Sequence, residues 1–155
     1  MLENYQDHKP ELKLESYFCG EIKAWGLVKN RKRQVINRFD INMRGSWSSD
    51  TKGILQEDFC YYNGEKQQRI WHIEKTSATK YEGRADDILG KATGTLSGNT
   101  IRWFYRMDLP VGERTYRVTF DDWMFLLNDG ILINKSYIKK FGLTMAEVTL
   151  FMQKL

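Results

Sequence analysis

From Val35 to Trp47 the chain alternates, with Val35, Asn37, Phe39, Ile41, Met43, Gly45 and Trp47 on one parity and Arg38, Asp40, Asn42 and Arg44 on the other. A period of two belongs to a β-strand with one buried and one wet face; a helix would repeat near 3.6. The same split recurs at Ile101, Trp103, Tyr105 and Met107 against Arg102, Arg106 and Asp108. It recurs once more where Tyr116, Val118, Phe120, Asp122, Met124 and Leu126 oppose Thr115, Arg117, Thr119 and Asp121. Ten strands are predicted, at 17–29, 34–46, 53–62, 65–75, 79–85, 91–96, 100–108, 114–127, 131–140 and 145–153. Short links between them imply an up-and-down meander. Only Ala85-Asp86-Asp87-Ile88-Leu89-Gly90 reads as non-strand, one helical turn capped by an aspartate.

Ten strands with one apolar face each could form a sandwich or a barrel. Closure is favoured because it removes two exposed sheet edges. The expected fold class is all-β, a single up-and-down antiparallel β-barrel over residues 17–155, preceded by a polar, extended lead-in over 1–16. A chain of 155 residues fits one such domain.

Turn chemistry sets which residues face each other. Tyr62-Asn63-Gly64 and Asn128-Asp129-Gly130 suit three-residue loops with a left-handed glycine. That choice places Glu57 opposite Arg69, Phe59 opposite Gln67 and Met124 opposite Asn134; a two-residue Asn-Gly turn would put Glu57 and Arg69 on opposite faces. Ser97-Gly98-Asn99-Thr100 reads as a two-residue turn, setting Gly94 against Trp103 and Ala92 against Tyr105. Small residues facing large ones fill a narrow barrel.

Several chemistries find no support. No apolar run approaches the roughly 18 residues that span a bilayer, and the first residues form no signal peptide. Cys19 and Cys60 point outward on strands one and three, nearly 10 Å apart at about 4.8 Å per strand, so free thiols are expected. His8 and His72 have no ligand spacing, so no metal is expected, and no cofactor motif is present. The serines form no Gly-x-Ser-x-Gly motif. Asn134-Lys135-Ser136 matches a glycosylation sequon but lies mid-strand.

The net charge is +4, with a cluster at Asn30-Arg31-Lys32-Arg33. Such charge suits a nucleic-acid or anionic-lipid surface. With no binding motif beside it, a hairpin loop and solvated sheet face is the favoured reading, and no nucleic-acid partner is expected.

What stands out is a polar set on the inward face: Glu57, Arg69, Asp122 and Asn134, among Phe59, Tyr61, Trp71, Trp103, Tyr105 and Phe120. Buried charge is costly unless paired. Either Glu57 pairs with Arg69 and Asp122 accepts hydrogen bonds from Asn134 or an indole N–H, or these groups await a ligand.

A family resemblance adds to this. The runs Tyr17-Phe18-Cys19-Gly20 with Ala24-Trp25-Gly26, Glu57-Asp58-Phe59 with Asn63-Gly64-Glu65, Arg69-Ile70-Trp71, Tyr81-Glu82-Gly83-Arg84-Ala85-Asp86, Asp121-Asp122-Trp123-Met124, Leu132-Ile133-Asn134 and Lys140-Phe141-Gly142 resemble the bacterial domain of unknown function 3833. Members often begin with a lipoprotein signal. The lead-in resembles the segment after their anchor cysteine, which implies a membrane tether through an N-terminal anchor and a place in the bacterial envelope; without such a signal the chain would be cytoplasmic. Gly20 and Trp25 also loosely resemble the Gly-x-Trp start of lipocalin-like barrels, with a longer spacing.

The leading expectation is a monomeric, non-enzymatic barrel that holds a small hydrophobic ligand of lipid or fatty acyl type. Its wall would be Phe59, Trp71, Trp103, Tyr105 and Phe120, with Glu57 and Arg69 as one polar anchor and Asp122 and Asn134 as another. One alternative is a filled structural barrel binding partners through Trp25, Leu27 and Phe104. The other is an isomerase-like enzyme with Asp122 or Glu57 as base.

Overall fold

The structure is a computed structural model and describes residues 2–155. Ten antiparallel strands form the sheet: β1 (Gly20–Asn30), β2 (Val35–Trp47), β3 (Lys52–Tyr61), β4 (Lys66–Ser77), β5 (Lys80–Arg84), β6 (Ile88–Ser97), β7 (Thr100–Val111), β8 (Arg114–Leu126), β9 (Ile131–Lys140) and β10 (Leu143–Lys154). Each pairs with its neighbour in sequence, and β10 returns to β1 from Ile22↔Lys154 to Asn30↔Ala146. The meander is a closed barrel, as the alternation implied.

Register follows the turns. Gly64 has φ +94, and the ladder places Glu57 across from Arg69 and Phe59 across from Gln67. Met124 faces Asn134 across β8 and β9. Gly94 faces Trp103, where a Cβ would come within 2.9 Å of the indole. A side chain there would displace the ring.

Three local expectations need correction. β1 begins at Gly20, not at residue 17, because Leu14–Tyr17 forms one turn of α-helix (α1) that ends with the Phe18 N–H donating to the Leu14 carbonyl at 2.8 Å. No helical turn occupies 85–90: residues 85–87 make the link and β6 starts at Ile88. Gly90, at φ +65, lies within a register shift between Leu89 and Thr93. A bulge adds a residue to one strand and breaks the two-residue repeat. The same bulge removes the expected Ala92–Tyr105 ladder pair, while on its other side Ala92 pairs with Gly83 of β5.

In an up-and-down meander successive hairpins lie at opposite ends of the barrel. The β2–β3, β4–β5, β6–β7 and β8–β9 links share one end with the N-terminal segment, which folds across it. There Leu2–Tyr5 forms a 3-10 turn, and Tyr5 packs edge-on against Phe125 at 5.7 Å. The Leu12 N–H donates to the Gly98 carbonyl at 2.9 Å, and Leu12 and Leu14 are fully buried.

Glu15 ties this segment to the wall. It accepts from Lys75 Nζ at 2.7 Å and from the Tyr81 hydroxyl at 2.7 Å. Burial works to raise the Glu15 pKa, but those two hydrogen bonds outweigh it and hold the carboxyl below its ordinary range. The Trp47 indole donates to the Phe18 carbonyl at 3.0 Å, and Gly45 leaves no room for a Cβ beneath that carbonyl. This end is shut by main chain and side chain together.

Candidate functional site in the barrel interior

The barrel is hollow. A cavity of about 840 Å³ runs from a floor of Leu14 and Phe18 to a mouth that includes Ile36, Lys66 and Val111. It faces the β1–β2, β3–β4, β5–β6, β7–β8 and β9–β10 hairpins, away from the N-terminal segment. All nine residues singled out from sequence line it: Glu57, Phe59, Arg69, Trp71, Trp103, Tyr105, Phe120, Asp122 and Asn134. Inward parity puts them there, since strand residues two apart share a face.

An aromatic wall occupies one side. Tyr105 stacks on Phe120 with ring centroids 4.8 Å apart and meets Trp71 edge-on at 5.4 Å. Phe59 joins Phe39 and Tyr61 on the β2–β3 side. Trp103 contacts Tyr81 nearer the floor. Such contacts keep large rings against the wall and leave the centre open.

Glu57 is 8% exposed and accepts a hydrogen bond from Trp71 Nε1 at 2.8 Å. Burial pushes its pKa up to about 7, against the nearby Arg69 charge and the indole hydrogen bond, which pull it down. The expected Glu57–Arg69 ion pair does not form. Arg69 instead donates from Nε and Nη2 to the Asp87 carboxylate, at 3.0 and 2.8 Å to Oδ2. Asp87 sits in the β5–β6 link, where it reaches the guanidinium in a two-pronged geometry that a facing glutamate on the next strand does not offer. The guanidinium also covers the Phe59 ring at 5.4 Å.

Asp122 is 7% exposed and accepts from Asn134 Nδ2, which also donates to the Trp123 carbonyl at 2.8 Å. Here the Asn134 alternative holds, one of the two partners foreseen. Burial raises the Asp122 pKa to about 7, with a further push from the Glu57 charge and a downward pull from Asn134. Tyr105, whose hydroxyl is pushed well above its ordinary value chiefly by burial, completes this inner polar ring.

Ser136 escaped the sequence reading. It is 4% exposed, faces Asp122 across the β8–β9 ladder, lines the cavity, and its Oγ has no hydrogen-bond partner among the described residues. The even-sum register that paired Met124 with Asn134 pairs Asp122 with Ser136, so the signal was present. Leu14 was also missed as a floor residue, its only mark being apolar character in a polar segment, whereas Phe18 falls on the inward parity of the predicted first strand, opposite Cys19.

Cys19 and Cys60 are free and exposed. No group of three His, Cys, Asp or Glu side chains among the described residues could hold a metal. The surface set Trp25, Leu27 and Phe104 is not one patch: β10, β9 and β8 separate β1 from β7. Trp25 packs instead beside Phe151 at 5.9 Å.

The fold and interior define a class: a closed ten-stranded meander barrel, plugged at one end and open to a largely apolar cavity at the other. Within that class the chain belongs to the family described as Protein of unknown function (DUF3833), whose model matches residues 1–154. The motif resemblance pointed to the same family. No curated protein matches the chain.

Proposed function

We propose that the barrel reversibly holds one small molecule with an apolar body, of lipid or acyl type, and does no chemistry on it. The observation that supports this best is the cavity of about 840 Å³, inside the roughly 300–1,000 Å³ span of small-molecule sites and walled by aromatic and aliphatic side chains. Four of the polar side chains that line it are buried. Glu57, Asp122, Asn134 and Ser136 supply acceptors and donors for a polar end, and the Ser136 hydroxyl is unpartnered. Arg69, being held by Asp87, is not free to neutralise a carboxylate. The ligand proposed is therefore one whose polar end is uncharged, such as an alcohol, ester or amide. The setting proposed is the bacterial envelope, with the protein monomeric and tethered through an N-terminal anchor.

The test is titration of the full chain with a fluorescent long-chain alcohol. Saturable one-to-one binding, weakened about tenfold by Phe120→Asp with its charge on the aromatic wall, supports the proposal. A barrel that binds no apolar probe overturns it.

A second reading has one observation in its favour. Asp122 is a buried carboxyl facing an open cavity, with a pKa near 7 and no arginine in contact, as a general base requires. In that case a bound molecule would leave chemically altered, and Asp122→Asn would return it unchanged.

A further inference from the structure

The mouth is asymmetric. Because β1 closes on β10, the β1–β2, β9–β10 and β7–β8 hairpins are neighbours around one side of the rim. The ladder ends at Asn30↔Ala146, which sets the Arg31–Gln34 turn alongside the base of the β9–β10 hairpin. At the tips of these hairpins Phe141 is 91% exposed, Ile36 60% and Val111 55%. Leu143 is exposed beside Phe141.

Cations stand among these tips. Arg31, Lys32, Arg33, Arg114 and Lys140 form no ion pair among the described residues, whereas Arg102 and Arg117 further down the wall are matched by Asp121 and Asp108. Lys140 Nζ lies 4.7 Å over the Phe141 ring. The opposite side of the rim, made by the β3–β4 and β5–β6 hairpins, carries Glu65, Lys66, Asp86 and an Asp87 paired with Arg69, whereas the cationic side holds one carboxylate in its turns, Glu113, against five unpaired cations.

We infer that this side of the mouth docks on the surface of an anionic phospholipid bilayer. Apolar tips alone or charge alone hold a protein weakly to a membrane; together they give the two signals that stable attachment needs. Unpaired cations match a negative headgroup layer within a screening length of about 8 Å, and the exposed tips reach the acyl boundary. A nucleic acid would satisfy the cations but leave Ile36, Val111, Phe141 and Leu143 in water. Ile36 and Val111 also line the cavity, so the docked rim is continuous with the interior. A molecule could pass between bilayer and barrel without crossing water.

Vesicle binding is measured with no ligand added, so it fails or succeeds apart from the proposed cargo. The experiment is cosedimentation of the full chain with phosphatidylcholine vesicles, with and without roughly a third phosphatidylglycerol. Three variants keep exposed positions: Phe141→Asn, whose φ of 53 suits asparagine; Arg31→Glu with Lys32→Glu; and Lys52→Glu at the plugged end as a control. Expected are binding to anionic vesicles only, a loss of about tenfold or more with Phe141→Asn, reduction to the neutral-vesicle level with the double variant, and no change with Lys52→Glu. The inference is overturned if anionic vesicles do not bind the chain, if Phe141→Asn binds like the wild type, or if Lys52→Glu weakens binding as much as the double variant. It is equally overturned if sedimentation velocity without vesicles shows a dimer that Phe141→Asn dissolves, since a second copy would then be the occupant.

Discussion

Arg69 stands directly across the β3–β4 ladder from Glu57, yet its guanidinium grips Asp87, with Nη2 2.8 Å from Oδ2. This single choice of partner shapes the interior. It leaves Glu57 with an indole N–H instead of a cation, and it leaves the buried part of the cavity with two carboxyls, Glu57 and Asp122, and no free cation beside them, Lys66 standing at the exposed mouth.

Glu57 consequently costs stability when ionised. Its folded pKa of about 7 lies above the ordinary value of 4.5, so between those values the native state binds the proton more tightly than the unfolded chain. Stability from this group is then greatest at acid pH, falls as pH rises from about 4.5 to 7, and is flat above. Glu57→Gln keeps an acceptor for Trp71 and removes the charge. In urea titrations the variant should match the wild type near pH 4.5 and exceed it at pH 8, by on the order of 3 kcal/mol at most. Equal stabilities at pH 8 would contradict a buried, unpaired Glu57.

Removing the competitor should restore the cross-strand pair. In Asp87→Asn the two-pronged contact is weakened and Arg69 is free to turn toward Glu57. The Glu57 titration midpoint, followed by carboxyl NMR, should move down from near 7 toward its ordinary range, at a stability cost of about 1–2 kcal/mol for the lost charged contact. An unmoved midpoint would mean that the ladder geometry itself keeps Arg69 and Glu57 apart.

Strand parity made most of the interior legible from sequence. The glycine turn at Asn63-Gly64 fixes whether Glu57 shares a face with Arg69, and once that parity is set every second residue of β3 and β4 follows. Parity does not decide partners. Asp87 lies in a link with no periodicity, so nothing in the alternation shows that it reaches Arg69. The bulge at Gly90 hid the start of β6 for a related reason, since an inserted residue erases the repeat by which strands are recognised. Nor does local sequence reveal that Leu12, Leu14 and Phe18 close the barrel; that depends on which end the N-terminal segment crosses.

The plug carries its own expectation. Leu12 is fully buried although it precedes the first strand, so Leu12→Ala should cost about 2–4 kcal/mol, as for a core leucine. Thermal unfolding compared with Ile41→Ala in the barrel wall checks this. A change below about 0.5 kcal/mol would place Leu12 among surface positions.

Ligand preference should depend on pH through the same two carboxyls. Above pH 7 both Glu57 and Asp122 are ionised, and a long-chain carboxylate entering the cavity meets like charge. A long-chain alcohol does not. Competition at pH 8 should favour the alcohol by about tenfold over the acid of equal length, and the gap should close near pH 5, where the interior carboxyls are neutral. A carboxylate that wins at pH 8 would require a cation, which Arg69, held by Asp87, does not supply in the interior and which Lys66 offers only at the mouth.

The central claim is that the hollow interior holds a molecule, and native mass spectrometry of the gently purified full chain tests it most directly. Expected is a one-to-one adduct, or one formed on adding a long-chain alcohol, that is lost in Phe120→Asp and released by denaturation. A spectrum showing only the bare chain, before and after addition of the alcohol, would contradict the account.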